Sequence, residues 1–214
     1  MRHIMVMNAK GGCGKSTIAT NLAAYYATEG ANVVLADYDP QGSSLDWLSM
    51  RPENRAPIHG LAAFEHGLRG LPRTADVVIM DAPARSHGHE LTDLLRHAET
   101  VIVPVLASTI DIHASNRFIK ELRATSRVSG HQARLGLVGN RVKENTLAWD
   151  DLREYLERER VAYVAALREA QNYVRAYSRG LGIFELPPYI AYRDWEHWEP
   201  MLEWLDSARS RPTG

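Results

Sequence analysis

Asn8-Ala9-Lys10-Gly11-Gly12-Cys13-Gly14-Lys15-Ser16-Thr17 lies between the apolar run His3–Asn8 and an Ala/Leu-rich stretch, Thr17–Glu29. In that stretch Ile18, Leu22, Tyr25 and Tyr26 recur near helical spacing, and Gly30 stands where a helix C-terminus wants a left-handed residue. A strand, a glycine-rich turn and a helix are therefore predicted in immediate succession. Glycines at 11, 12 and 14 let the backbone wrap an anion without a Cβ in the way. Successive N–H groups and the helix N-terminus aim positive dipoles at the same point. Lys15 is placed to reach the β and γ phosphates of a nucleotide, and the Ser16 hydroxyl to ligate Mg²⁺. The pattern G-x-x-x-x-G-K-[ST] is met except at its first glycine, where this chain has Ala9, followed by Lys10.

Working outward, Asn32–Asp37, Asp76–Asp81, Thr100–Val105 and Arg134–Asn140 are near-continuous Val/Ile/Leu runs, and Val161–Ala165 is a shorter one. Runs without polar alternation belong to strands buried on both faces, as in parallel sheets covered by helices. Helical patterns at Glu90–His97, Ile112–Arg127 and Leu147–Arg160 separate them. Met50–Arg73 is the least regular part and is expected to be a surface excursion. The expected fold class is α/β: a P-loop NTPase with a mostly parallel twisted sheet, helices on both faces, and one domain over residues 1–214.

Lys plus Arg number 25 against 26 Asp plus Glu, a formal net charge of −1, so the whole surface cannot coat nucleic acid; any DNA binding must come from a local patch. One cysteine excludes an intrachain disulfide framework and fits a reducing cytosol. No secretory signal pattern stands at the N-terminus, and no apolar run approaches the roughly 18 residues of a membrane span. A cytoplasmic location is expected.

KGGCGKST resembles the deviant Walker A box of the ParA/MinD family of P-loop ATPases, in which an extra lysine sits where Lys10 sits here. DYDPQGSS, residues 37–44, resembles that family's switch I, and VVIMDAPA, residues 77–84, its Walker B strand and switch II. The resemblance covers about residues 1–190. Phosphoryl transfer to water needs a cradle, a metal, an oriented water and charge neutralisation. With ATP and Mg²⁺ as cofactors, the resemblance implies a candidate for each. Backbone amides of Gly11, Gly12, Cys13, Gly14 and Lys15 form the cradle, and Thr17 contacts the α-phosphate. Ser16 and Asp81 hold Mg²⁺, with Asp37 supporting its shell. Asp39 orients the attacking water, and Lys10 crosses an ATP-sandwich homodimer to the partner's nucleotide. Catalysis thus falls to Lys10, Lys15 and Asp39. Asn140 matches the position beside the adenine. Packing is the expected role of the Cys13 side chain, although a thiol at a helix N-terminus can have a lowered pKa.

Members of the family differ in what the ATP state binds: DNA, membrane or other proteins. Tyr192–Ala208 carries an apolar stripe of Trp195, Trp198, Leu202 and Leu205, but Glu196, Glu199, Glu203 and Asp206 lie on its other face. An acidic face is repelled by anionic lipid, so core packing is expected and stable membrane association is not. Leu167–Glu185 resembles the Arg/Gln-rich stretch of short ParA-type proteins. Its Arg168, Arg175 and Arg179 would double into one patch in a two-fold dimer and bind nonspecific DNA phosphates, with Arg123, Arg127 and Arg141 able to add to it. The first strand begins within a few residues of Met1, leaving no room for an N-terminal helix-turn-helix, and the lack of a cysteine pair argues against iron–sulfur relatives. The resemblance thus implies a nucleoid-associated positioning ATPase for a plasmid, chromosome region or protein organelle. An adaptor on the cargo stimulates its hydrolysis. A nucleotide-gated protein-interaction switch without DNA binding and a membrane-positioning ATPase are the alternatives.

Overall fold

The computed structural model describes residues 1–213. Seven parallel strands form one sheet in the order β3-β2-β4-β1-β5-β6-β7. They are β1 (Arg2–Val6), β2 (Val33–Asp37), β3 (Ile58–Ala62), β4 (Val77–Asp81), β5 (Thr100–Leu106), β6 (Arg134–Val142) and β7 (Ala162–Arg168). The helices between and after them are α1 (Lys15–Thr28), α2 (Ser43–Ser49), α3 (Ala63–His66), α4 (Gly88–Leu95), α5 (Thr109–Ala124), α6 (Ser126–Ser129), α7 (Leu147–Arg158), α8 (Gln171–Tyr177) and α9 (Pro188–Asp206).

Period-two alternation divides the apolar strands between two cores. Ile4 and Val6 of β1, Val33 and Leu35 of β2 and Val77 and Ile79 of β4 meet Ile18 and Leu22 of α1, Trp47 of α2, and Trp198, Met201 and Leu205 of α9. Their neighbours Met5, Val34, Ala36, Val78 and Met80 point the other way, toward Leu91 and Leu95 of α4 and Phe118 and Leu122 of α5. Each such side chain contributes about 1.5–3 kcal/mol on full burial, which is why strands with no polar face dominate the interior.

α1 ends as its glycine predicts: Gly30 has φ +87°, and the Ala31 amide reaches back to the Tyr26 carbonyl at 3.0 Å. The apolar stripe of α9 is core. Trp198, Leu202 and Leu205 are buried, and Trp204 lies over Gly136 of β6, where an added Cβ would stand 2.9 Å from the indole. Met50–Arg73 is not only a surface excursion, because it holds α3 and the edge strand β3, which pairs with β2 from Val33↔Ile58 to Asp37↔Ala62. Edge strands are half-exposed, and Ile-His-Gly-Leu-Ala lacks the continuous apolar run that marks the inner strands. α2 lies in a stretch to which the sequence reading assigned no helix.

The order places β1 between β4 and β5, so the connections leaving β1 and β4 run to opposite sides. In open α/β sheets the crevice beyond the carboxyl ends of the strands at such a reversal is where ligands bind.

Candidate functional site

Residues 8–14 form the turn from β1 to α1 at that crevice. Asn8 is buried and anchors its base: Nδ2 donates to the Pro104 carbonyl at 2.7 Å and to Ser115 Oγ at 3.2 Å, and Oδ1 accepts from the Lys10 amide at 3.1 Å. Gly12 and Gly14 have φ of +75° and +93°, the left-handed region that favours glycine. Gly14 is required twice over, since a Cβ there would collide with the Asn140 amide. Asn140 Nδ2 donates to the Cys13 carbonyl at 2.7 Å, so Asn140 pins the turn as well as lining the cavity beside it. The Cys13 thiol is buried and donates to the Lys10 carbonyl at 3.2 Å. Burial pushes its pKa up, outweighing the Lys15 charge, so the thiol packs rather than reacts.

Lys15 is buried with its Nζ 3.3 Å from the Lys10 carbonyl. Lys10 behaves differently. Its side chain is 41% exposed, and its Nζ lies 3.4 Å from Asp111 Oδ1 of α5, a buried oxygen with no hydrogen-bond partner.

Three carboxylates predicted from the sequence meet at the ends of β2 and β4. Asp81 is buried: Oδ2 accepts from Ser44 Oγ at 2.6 Å, and Oδ1 has no hydrogen-bond partner. Burial raises its pKa to about 6, opposed by the Ser16 and Ser44 hydroxyls and the Lys15 ammonium and reinforced by Asp37. A buried carboxylate oxygen without a partner beside a hydroxyl fits the hard oxygen donors that Mg²⁺ takes. Asp37 is also buried, and both its oxygens are occupied by backbone amides: Oδ1 by Asp39 at 3.0 Å, Oδ2 by Ser44 at 3.0 Å and Leu45 at 3.3 Å. It thereby caps α2 and holds the β2–α2 turn. Its pKa is raised by burial against those three amides. Asp39 sits half-buried in that turn, with Oδ1 accepting from the Gln41 amide at 3.0 Å.

A cavity of about 550 Å³ opens beside the turn, lined by Gly12, Gly14, Thr17 and Asn140 on one side and by the end of β7 and the start of α8 on the other. The three arginines predicted to face DNA separate here. Arg175 and Arg179 are exposed on and just after α8. Arg168 is not part of their face: it lines the cavity, and its Nε donates to the fully buried Asp194 of α9 at 2.6 Å. The reason is burial, because an isolated carboxylate inside the core must be paired. Arg141 is drawn to Glu169 at 2.9 Å, and Arg127 is half-buried against the Ala98 carbonyl at 3.1 Å. Arg123 stays exposed.

Sequence reading missed Ser44, Asp111 and Asp194. Ser44 lay inside the segment already assigned to switch I, but its hydrogen bond to Asp81, 37 residues away, is set by the fold. Asp194 carried no signal, since its partner is 26 residues away.

A family model described as CbiA, the CobQ/CobB/MinD/ParA nucleotide binding domain, matches residues 4–183. The chain is similar to Maintenance of carboxysome distribution protein A of Halothiobacillus neapolitanus, 28% identical over 192 residues that cover 86% of this chain and 87% of the relative. The protein of the same name from Gloeobacter kilaueensis is 30% identical over 191 residues, covering 86% and 84%. Chromosome-partitioning ATPase Soj of Thermus thermophilus is 36% identical over 138 residues, covering 50% and 55%. Two solved structures share the fold. A plasmid partition protein from Borrelia burgdorferi bound to AMPPNP has a TM-score of 0.72 at 19% identity, covering 94% of this chain and 98% of that one. The MinD cell division protein of Aquifex aeolicus has a TM-score of 0.71 at 16% identity, covering 95% and 97%. With the glycine-rich turn, the Walker B strand and most of the sheet inside the matched span, the chain belongs to the CobQ/CobB/MinD/ParA nucleotide-binding family.

Proposed function

We propose that this chain is an ATPase that dimerises with ATP, binds nonspecific DNA in that state and positions or segregates a cellular cargo. An adaptor on the cargo stimulates hydrolysis and resets the cycle. The observation that carries the reading is the difference between the two lysines of the turn: Lys15 is buried beside the Lys10 carbonyl, whereas the Lys10 side chain is 41% exposed and paired with Asp111. The inner lysine would serve its own nucleotide, and the outer one would leave Asp111 to serve a partner's. Relatives named for carboxysome distribution and chromosome partitioning support the positioning role.

The same reading assigns the roles. Amides of Gly11 to Lys15 and the N-terminus of α1 receive the triphosphate, with Lys15 on its β and γ oxygens and Thr17 at the α-phosphate. Ser16 and Asp81 would hold Mg²⁺, and Asp37 keeps the β2–α2 turn in place beneath it. When bound, the ion neutralises charge on the phosphate oxygens. Asp39 orients the attacking water from that turn, and Lys10 adds positive charge across the dimer. Asn140 holds the turn and borders the base. The reading places the protein in the cytoplasm on the nucleoid, and no described helix is long and apolar enough to cross a membrane.

DNA contact falls to Arg175 and Arg179, doubled by the two-fold axis. With about four phosphates neutralised per dimer, log affinity should fall with log salt at a slope of roughly −3 to −4. Co-sedimentation with a nonspecific duplex in ATP, in ADP and without nucleotide tests this. Binding is expected with ATP only, and the Arg175→Glu, Arg179→Glu double variant should lose it while still dimerising. Binding that ignores nucleotide or survives the charge reversal would overturn the DNA assignment; no binding at all would favour a protein-interaction switch.

A further inference from the structure

We propose that Arg168 is a nucleotide-contacting residue whose free Nη groups donate to the sugar–phosphate oxygens of a nucleotide seated on the turn. The inference rests on the nucleotide reading above and adds a ligand contact to it. Arg168 is the last residue of β7, and its side chain borders the same cavity as Gly12, Gly14 and Thr17.

Its orientation is fixed from behind. Nε donates to Asp194 Oδ1 at 2.6 Å, and Asp194 Oδ2 accepts from Asn172 Nδ2 at 2.6 Å. Asn172 Nδ2 also donates to the Ile190 carbonyl at 2.9 Å, which ties α8 to α9. The carboxylate is fully buried and held on both oxygens, so it anchors the guanidinium firmly through Nε. A guanidinium carries five N–H donors, and only Nε is used: among the described residues neither Nη has a hydrogen-bond partner, and the side chain is 26% exposed.

Arg51 shows what a purely structural arginine looks like in this protein. It and Glu185 are 5% and 3% exposed, its two Nη groups grip the carboxylate at 2.8 Å each, and Nε and Nη1 also donate to the Ala56 and Gly180 carbonyls. Arg168 instead leaves its fork toward open space. Glu169 does not compete for it, since that carboxylate is taken by Arg141 at 2.9 Å and Lys143 at 3.0 Å. The same cavity is bordered by the N-terminus of α1, which attracts an anion. A braced cation lining it matches phosphate or ribose oxygens, which accept hydrogen bonds, and not the exocyclic amine of adenine, which donates them.

Isothermal titration of the full chain with ADP, AMP and adenosine tests the contact. Arg168→Lys keeps a cation for Asp194 but removes the Nη fork. ADP affinity is expected to fall about tenfold or more, the worth of a charge-assisted hydrogen bond, with the ligand-free melting temperature unchanged. A loss confined to AMP and ADP assigns the contact to the phosphate, and an equal loss for adenosine assigns it to the nucleoside. If the lysine variant does not fold, Arg168→Met combined with Asp194→Asn removes both charges together and should show the same loss. Unchanged ADP affinity in a folded variant overturns the inference, as does a loss that only follows a lowered ligand-free melting temperature. A wild-type chain that binds no ADP overturns the nucleotide reading itself.

Discussion

Asp81 is the residue at which burial and function pull hardest against each other. Its pKa of about 6 lies above the ordinary carboxylate value, so the folded chain keeps the proton over a range where the unfolded chain has lost it. Stability is then highest below the unfolded pKa near 4 and is lost as pH rises through 6. At pH 7 the ionised carboxylate costs up to about 3 kcal/mol, and at pH 5 about half of that. Asp81→Asn should therefore stabilise the ligand-free protein in urea at pH 7, with the gain about halved at pH 5; an equal or larger gain at pH 5 would refute the assignment. The placement of Lys10, Lys15 and Ser16 on a glycine-rich turn between a strand and a helix was legible in the sequence. Arg168 was not, because its role is set by Asp194, which only the packing of α9 against β7 brings to it. The Cys13 thiol was half legible: a helix N-terminus lowers a thiol pKa, but burial outweighs it here.

At the scale of elements, α2 deserves the name of a clamp between the β2–α2 turn and the C-terminal segment. Asp37 caps its start, Tyr177 donates to the Ser43 carbonyl at 2.8 Å, Trp47 Nε1 donates to the Leu181 carbonyl at 3.2 Å, and just beyond its end Arg51 is locked to Glu185. Gly180, at φ +63°, leaves no room for a Cβ against the Arg51 backbone. Removing one charge of the pair strands the other in the core, at about 3–5 kcal/mol. Glu185→Gln should lower the urea midpoint accordingly, whereas Arg51→Met with Glu185→Leu should restore only part of it, because the Ala56 and Gly180 carbonyls and the Gly182 amide lose their partners; a midpoint unmoved by the single change would show that the pair is not holding these elements. The inner strands were readable because both faces are apolar. β3 and α2 were not, since an edge strand with Gly60 packed on Leu45 and Leu48, and a seven-residue helix capped from a neighbouring strand, owe their form to tertiary partners.

At the scale of the whole molecule, a net charge of −1 and two exposed arginines per protomer on and beside α8 give a monomer little hold on DNA. Pairing two protomers doubles that face without changing either one, which is how a nucleotide could gate binding. The strand order was not legible in the sequence, where β1 and β4 are 75 residues apart between their first positions and β5 gives no sign of lying on β1's other side. The fold class was, because three motifs stand in the order the family requires. Lys10 is the pivot of this scale. In the ligand-free chain its Nζ lies 3.4 Å from the buried Asp111 Oδ1, so on the proposed reading a partner's nucleotide must outcompete that carboxylate for it. Sedimentation velocity of the full chain with Mg²⁺ and ATP, beside its Lys10→Ala variant, measures that directly. The expected result is a dimer for the wild type in ATP, a monomer in ADP, and a Lys10→Ala protein that binds ATP yet stays monomeric; a Lys10→Ala dimer as stable as wild type would contradict it.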